Sequence, residues 1–367
     1  MKPTILFILH LPPPVHGAAM MGEYIYNSKT INECFNCHYI NLTTATNLQD
    51  IGKGGICKLW KFIKLLSKIV KTICITHPQL VYVTPNSCGG AFYKDFVVVQ
   101  LLKIMKQKVV VHYHNKGVAK YQKQILDNWL YHIFFKRLKV ILLAEALYSD
   151  IQKYVPHSKV YICPNGIPQT PQTESISKKN NTIPHLLFLS NLLESKGVLV
   201  LLDAYSILKE KGYSFIGEFV GSETKEIDTV RFKKEVEKRN LNDIVRYEGK
   251  KYGPEKHKYF KQADIFIFPT YYETFGLVLL EAMEHALPCI STNEGGIPNI
   301  IENEKTGYIV QKQSAKEIAA KIEHLIKYPE LCITMGEAGK EKFFNEFTLD
   351  KFEIRMKNIL EDCIISL

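Results

Sequence analysis

The chain has 367 residues, 46% hydrophobic and 23% charged, the composition of a globular rather than a disordered chain, and, being too long for one ordinary core, it predicts two domains. The net charge of +10 is uneven: residues 1–150 carry 18 Lys and Arg against 7 Asp and Glu (+11), and residues 151–367 carry 29 against 30 (−1). Nine cysteines in no regular frame exclude a disulfide scaffold and fit reduced thiols in the cytoplasm.

In chain order, MKPTILFILHLPPP has one Lys and a short apolar run, as in a secretory signal. It lacks a small-residue cleavage site, so ILFIL reads as a buried first strand. Cys34, Cys37 and His38 spell CFNCH, the c-haem spacing; without an export signal His38 instead begins a strand, HYINL, and no second Cys or His pair completes a zinc set. In residues 54–73, Lys58, Lys61, Lys64, Lys68 and Lys71 share one helical face, with Leu59, Phe62, Ile63, Leu66, Ile69 and Val70 expected opposite. Such a helix suits an anionic membrane surface, or equally an ordinary helix packed on a sheet with its lysines in water.

LVYVT, VVVHYH, VILLAE and KVYIC continue the strands, with helices at 17–28, 54–73, 93–107 and 118–136. The alternation predicts a parallel sheet covered on both faces. Residues 165–184, rich in Pro, Ser, Asn and Lys, read as a linker between a domain at 1–164 and one at 185–345, with a C-terminal helix at 346–367 crossing back to the first. Beyond the linker the pattern restarts with HLLFLS, a helix near 196–211, FIGEFVG, VRYEG, ADIFIFPT, a helix after Phe275, and PCISTN. No stretch reaches the roughly 18–20 apolar residues needed to span a bilayer.

Ligands of such folds bind beyond the carboxyl ends of strands, where helix N-termini begin. After ADIFIFPT comes YYETFGLVLLEAM, with Glu273 expected in the loop, Gly276 near the first turn, and Glu281 eight residues past Glu273, up to about 12 Å away if helical. A sugar diphosphonucleoside needs comparable reach between its sugar and ribose hydroxyls, and carboxylates accept from vicinal hydroxyls. Spacing alone equally allows Glu281 to be an exposed helix residue and Glu273 a helix-start acid.

The E-x7-E pattern, followed by LPCISTNEGGIPNIIENEKTGYIV and preceded by SNLLESKGVLVLLDAY, EFVGS, VRYEGKKYGPE, ADIFIFPT and CPNGIP, resembles the donor-binding half of the retaining glycosyltransferases of family 4. PPPVHGAAM, LVYVTPNS and VVVHYHNKG extend the resemblance more weakly into the N-terminal half, the acceptor domain of that family. The resemblance implies the GT-B fold: an α/β protein of two doubly wound Rossmann-like domains with parallel sheets facing across a cleft. It implies that Glu273 contacts hydroxyls of the transferred sugar and Glu281 the nucleotide ribose. Thr274, Phe275, Gly276 and Leu277 then line the donor, with Tyr252 near the base. Lys196 matches the lysine that neutralises the leaving diphosphate. Asn191 stands where the family usually has Arg. His114 matches the histidine beside the transferred sugar, with His112 as fallback, and Gly17 matches the glycine of the first loop that faces the diphosphate.

The chain contains no D-x-D, so neither an essential metal nor another cofactor is expected. Retention is expected through departure and attack on one face of the sugar. The family implies a nucleotide-diphosphate sugar donor, a glycan or polyprenyl-linked acceptor of a bacterial capsule or lipopolysaccharide, no nucleic acid, and a cytoplasmic enzyme on the inner face of the cell membrane. Three alternatives stand beside this reading. One is a sugar-nucleotide epimerase of the same fold, and another is a non-catalytic sugar-nucleotide-binding homologue, which Asn191 makes conceivable. The third is a dehydrogenase, which LPPPVHGAAM in place of G-x-G-x-x-G disfavours.

Overall fold

The computed structural model of the protein describes residues 2–13, 16–43, 56–170 and 182–366, without the side chains of residues 56–58. Lys58 as a side chain, residues 14–15 of PPPVHG and residues 171–181 of the predicted linker therefore lie outside the described residues. The chain forms two compact units, Met1–Asn165 with Leu349–Leu367, and Gly166–Thr348.

The first unit holds a six-stranded sheet in the order β2-β1-β3-β4-β5-β6, every neighbouring pair parallel. Its strands are β1 (Thr4–Leu9), β2 (Asn36–Asn41), β3 (Leu80–Val83), β4 (Val109–His112), β5 (Lys139–Leu142) and β6 (Val160–Ile162). β3, β4 and β5 are buried at every position, as unbroken apolar runs covered on both faces must be. Lys139 is admitted to β5 because its Nζ reaches Tyr161 Oη and Ser366 Oγ, both at 2.5 Å.

Right-handed crossovers decide which face each helix covers. The connections β2→β3, β3→β4 and β4→β5 cross the sheet in one direction, so the helices Ile56–Thr76, Gly89–Ile104 and Ile125–Phe135 share one face. The connection β1→β2 runs the other way and puts Gly17–Asn27 and Lys29–Cys34 on the opposite face, where the last helix, Leu349–Ser366, packs against Lys29–Cys34.

Two expectations need correction in this unit. The helix predicted at 118–136 is two, Val118–Tyr121 and Ile125–Phe135, the first started by the Asp150 carboxylate, which accepts from the amides of Gly117, Val118 and Ala119 at 2.9–3.1 Å. In Ile56–Thr76 the buried stripe is Leu65, Ile69 and Ile73, with Phe62, Leu66 and Val70 half-buried, while Leu59 and Ile63 are exposed. Ile63 lies about 120° around the helix from Ile69, too far to face the sheet. Lys61, Lys64, Lys68 and Lys71 are exposed.

The second unit has strands β7 (His185–Leu189), β8 (Ile216–Val220), β9 (Val245–Gly249), β10 (Ile265–Phe268), β11 (Cys289–Thr292) and β12 (Gly307–Val310). Their order is β12-β11-β10-β7-β8-β9, again all parallel. Strand β12 and the helices Ala315–Lys327 and Pro329–Lys342 complete the layers beyond PCISTN, the last element read from pattern. Two residues assigned to the linker are fastened to this unit: the Ile167 amide donates to Phe347 O at 3.0 Å, and Thr170 Oγ1 donates to the Glu284 carboxylate at 3.0 Å.

Candidate active site

In the second unit the chain adds β8 and β9 on one side of β7, then returns to build β10, β11 and β12 on the other. The loops leaving β7 and β10 diverge, and such a switch point is where a doubly wound sheet opens a crevice at its carboxyl edge. These two loops carry SNLLESKG and YYETFG. They are tied together: the Tyr271 amide and Thr270 Oγ1 both donate to Ser195 O, at 2.9 and 3.0 Å. Gly197 ends the first loop in a left-handed conformation (φ 81°), and a Cβ there would lie 2.2 Å from Pro269 O, so only glycine lets the lysine turn sit this close to β10.

Lys196 and Glu273, 77 residues apart in sequence, meet here with Nζ 2.8 Å from Oε2. Lys196 Nζ also donates to Tyr272 O at 3.2 Å and sits 5.7 Å from the Phe268 ring centre. The other oxygen of Glu273 accepts from the amides of Thr274 (2.8 Å) and Phe275 (3.4 Å), which fixes the carboxylate in its own loop. The GG of NEGGIP supports that loop: the Gly296 amide donates to Thr274 O at 2.8 Å, and a Cβ on Gly295 (φ 54°) would lie 2.4 Å from Glu273 O. Phe275 is buried, and Gly276, left-handed at φ 96°, starts the helix Leu277–Glu284 with no side-chain cap on its amides.

Glu281 lies on that helix, half-buried, with Oε1 2.6 Å from Lys256 Nζ on the helix Gly253–Gln262. Tyr252 precedes the same helix, exposed, with Lys250 Nζ 4.4 Å from its ring centre. Asn191 is exposed at the start of its loop, and Arg231 brings a cation to that loop, 2.5 Å from Glu194 Oε1. Sequence reasoning missed Lys256, Arg231, and the buried Glu294, which accepts from the Glu273 amide at 3.4 Å and pairs with Lys312. Glu294 at least stood inside the NEGGIP motif, whereas nothing local to the other two marked them.

In the first unit the switch point falls between β1 and β3, whose loops bring His10 to Asn86, and His114, in the loop after β4, lies near enough to His10 to act on it electrostatically. His10 donates its amide to Thr84 Oγ1 (3.2 Å), and its ring meets Thr43 Oγ1 (3.2 Å) and Asn86 Nδ2 (3.5 Å). Asn86 is held by its amide and side-chain donations to the buried Asp95, each 2.8 Å. Burial pushes His10 and His114 down to about 3 and lowers His16 as well, while burial raises the Asp95 carboxyl. Both ring nitrogens of His114 are buried without a protein hydrogen-bond partner. His112 is different: it ends β4 fully buried, and its Nδ1 bonds Tyr82 Oη at 2.7 Å. His114 thus has both ring nitrogens without a protein partner, whereas His112 has only Nε2. Gly17 opens the helix Gly17–Asn27 behind the capping residue His16.

Two doubly wound parallel sheets with these two carboxyl-edge constellations define a GT-B protein. Known structures share the fold over the full length: sucrose-phosphate synthase from Thermosynechococcus elongatus (TM-score 0.75, 19% identity, 100% of both chains) and Anabaena HepE in complex with UDP and glucose (TM-score 0.71, 16% identity, 100% of both chains). Residues 169–342 match the model of the family Glycosyl transferases group 1. A similar protein is the capsular polysaccharide biosynthesis glycosyltransferase CapM of Staphylococcus aureus, 31% identical over 161 residues, 44% of this chain and 41% of that one. The chain spans about half the length of the first curated relatives it matches, 41–64% of each.

Proposed function

We propose that the protein is a retaining glycosyltransferase that moves a sugar from a nucleotide-diphosphate donor to a glycan or polyprenyl-linked acceptor in the assembly of a bacterial surface polysaccharide. The observation that carries this reading is the Lys196–Glu273 pair at the switch point between β7 and β10. An ion pair there is exchangeable: a bound diphosphate takes Lys196 Nζ, and Glu273 is released to accept from hydroxyls of the sugar. Glu281, set one helix further on, accepts from the ribose, with Lys256 holding its other side.

As the bond from the anomeric carbon to the diphosphate breaks, negative charge grows on the phosphate, and Lys196 stabilises it without a metal. The acceptor hydroxyl attacks on the face the phosphate leaves, a phosphate oxygen takes its proton, and the anomeric configuration is retained. His114, neutral because it is buried, offers ring nitrogens to the sugar hydroxyls. The site of action proposed is the inner face of the cell membrane, reached from the cytoplasm; among the described residues no helix is long and apolar enough to cross a membrane.

HepE was crystallised with UDP and glucose, so uridine donors are the first to test. A binder at 100 times its dissociation constant adds about 2.7 kcal/mol of stability, which a thermal-shift screen of nucleotide sugars detects. The expected result is stabilisation by one nucleotide series and release of its diphosphate when a glycan acceptor is added. Stabilisation with no transfer to any acceptor would favour the non-catalytic homologue, and epimerised donor without transfer would favour the epimerase.

A further inference from the structure

The chain has two tryptophans, and both lie exposed on the same helical layer. Trp60 (66% exposed) is on Ile56–Thr76, between exposed Leu59 and Ile63. Trp129 (59%) is on Ile125–Phe135, beside exposed Ile125 (91%) and Leu126. Between them in the layer, Gly89–Ile104 exposes Tyr93 and Val97, and Tyr93 Oη donates to Asp127 of the neighbouring helix at 2.8 Å. Each helix follows the carboxyl end of a strand and runs back across the sheet, so these residues, all but Val97 in the first half of their helices, lie toward the carboxyl edge of the sheet, where His10 and His114 sit.

The charges of this layer have one sign. From residue 51 to residue 144 the carboxylates are Asp95 and Asp127 alone, and both are buried, at 0% and 1% exposure. The exposed charges among the described residues of this stretch are therefore cations, including Lys61, Lys64, Lys68, Lys71, Lys120 and Lys123. Exposed Trp, Leu and Ile among lysines, with no exposed acid, form a surface that anionic lipid complements in both charge and polarity. A protein partner would have to supply acids at every lysine, and water solvates the apolar residues poorly.

We infer that the first unit inserts into anionic lipid through two wedges, Leu59–Trp60–Ile63 and Ile125–Leu126–Trp129, and so holds the carboxyl edge of its sheet against the headgroups. This rests on the membrane reading above and deepens it: the lysines gather the protein at the surface, and the wedges enter the acyl boundary. A polyprenyl-linked acceptor then meets the His10–His114 edge without leaving the bilayer.

Tryptophan emission tests it directly, because every tryptophan of the chain is in the wedges. Trp60→Phe and Trp129→Phe leave one reporter each. Both variants are expected to show blue-shifted emission, quenched by phosphatidylglycerol vesicles with brominated acyl chains and unaffected by phosphatidylcholine ones. Sedimentation with the vesicles but no quenching would overturn insertion and leave surface attachment standing. Neither sedimentation nor quenching would overturn both. In a second arm, Ile125→Ser with Leu126→Ser should weaken vesicle partition at least about tenfold, while nucleotide-sugar stabilisation of the other unit stays unchanged; equal partition would count against the second wedge. If instead the wild type dimerises without lipid, and those substitutions abolish the dimer, the layer is a contact between copies and the lipid assignment is wrong.

Discussion

The two units share an architecture and differ in how their switch points handle charge. At the carboxyl edge of the second sheet, Lys196–Glu273, Lys256–Glu281 and Lys312–Glu294 are paired ions at or near the opening. At the corresponding edge of the first sheet stand imidazoles and amides, with His10 and His114 held neutral by burial, and the carboxylate behind Asn86, Asp95, is buried and paired with Lys94 at 3.3 Å. Ion pairs can be exchanged for a charged ligand at little net cost, since each partner has a ready substitute, whereas neutral buried donors and acceptors suit uncharged hydroxyls. The contrast fits the proposed placing of diphosphate at the second unit and of sugar or acceptor hydroxyls at the first.

Removing the cation at the centre of the charged edge is the strongest way to break that contrast. Lys196→Ala is expected to raise the barrier to transfer by about 2.7–4 kcal/mol, the size seen for one preorganised stabilising group, read as kcat under saturating donor. Activity within a few-fold of wild type would remove charge neutralisation by this residue.

The two glutamates should separate next. Glu281→Ala is expected to weaken binding of the free nucleoside diphosphate by about 1.5–3 kcal/mol, as for a hydrogen bond to a charged group. Glu273→Ala should lower turnover and leave diphosphate affinity intact or improved, because Lys196 is released from its pair. Calorimetry with the nucleotide alone checks both, and identical affinities in the two variants would refute their separate stations.

The neutral edge makes its own demand on pH. His10 and His114 take up protons only near pH 3 in the folded state but near 6.5 when unfolded, so stability declines as pH falls from 6.5 toward 3. Asp95 acts in the opposite sense, because its raised carboxyl gains stability as it protonates, but it is one group against four, since burial lowers His16 and His112 as well. The lowered acids of the second unit, such as Glu302 and Glu235, lose their contribution only as pH falls through and below the ordinary carboxylate range. Hydrogen exchange, corrected for its intrinsic pH dependence, should therefore show the first unit loosening between pH 6.5 and 5 while the second holds. Loosening confined to the second unit would invert the comparison.

The smallest effect is expected at Asn191. Arg231 already brings a cation to the same loop through Glu194, so Asn191→Arg should change kcat/KM by less than about tenfold, toward activation. A large loss would mean that the loop excludes a second guanidinium.

Much of the fold could be read from pattern because many strands hold short apolar runs, such as LVYV in β3 and IFIF in β10, between turn signals, both local properties. The motifs likewise singled out Lys196 and Glu273, which the structure brings into one ion pair. The face of the helix Ile56–Thr76 was not: periodicity alone placed Leu59 and Ile63 inward, and only the position of the sheet showed that the buried line runs through Leu65, Ile69 and Ile73.

What the sequence by itself determined was the alternation of strand and helix, the one-sided charge of the first half, and the residue types at the ends of β7 and β10. Tertiary structure decided the partnerships. Strand order sets β7 beside β10 although β8 and β9 lie between them in the chain, and that adjacency joins Lys196 to Glu273 across 77 residues. Lys256 meets Glu281 by the same means, from a helix that no periodicity in either segment connects to the other. Side-chain pattern repeats over 2 or about 3.6 residues and is therefore written locally, whereas an ion pair depends on which strands are neighbours, a property of the whole sheet.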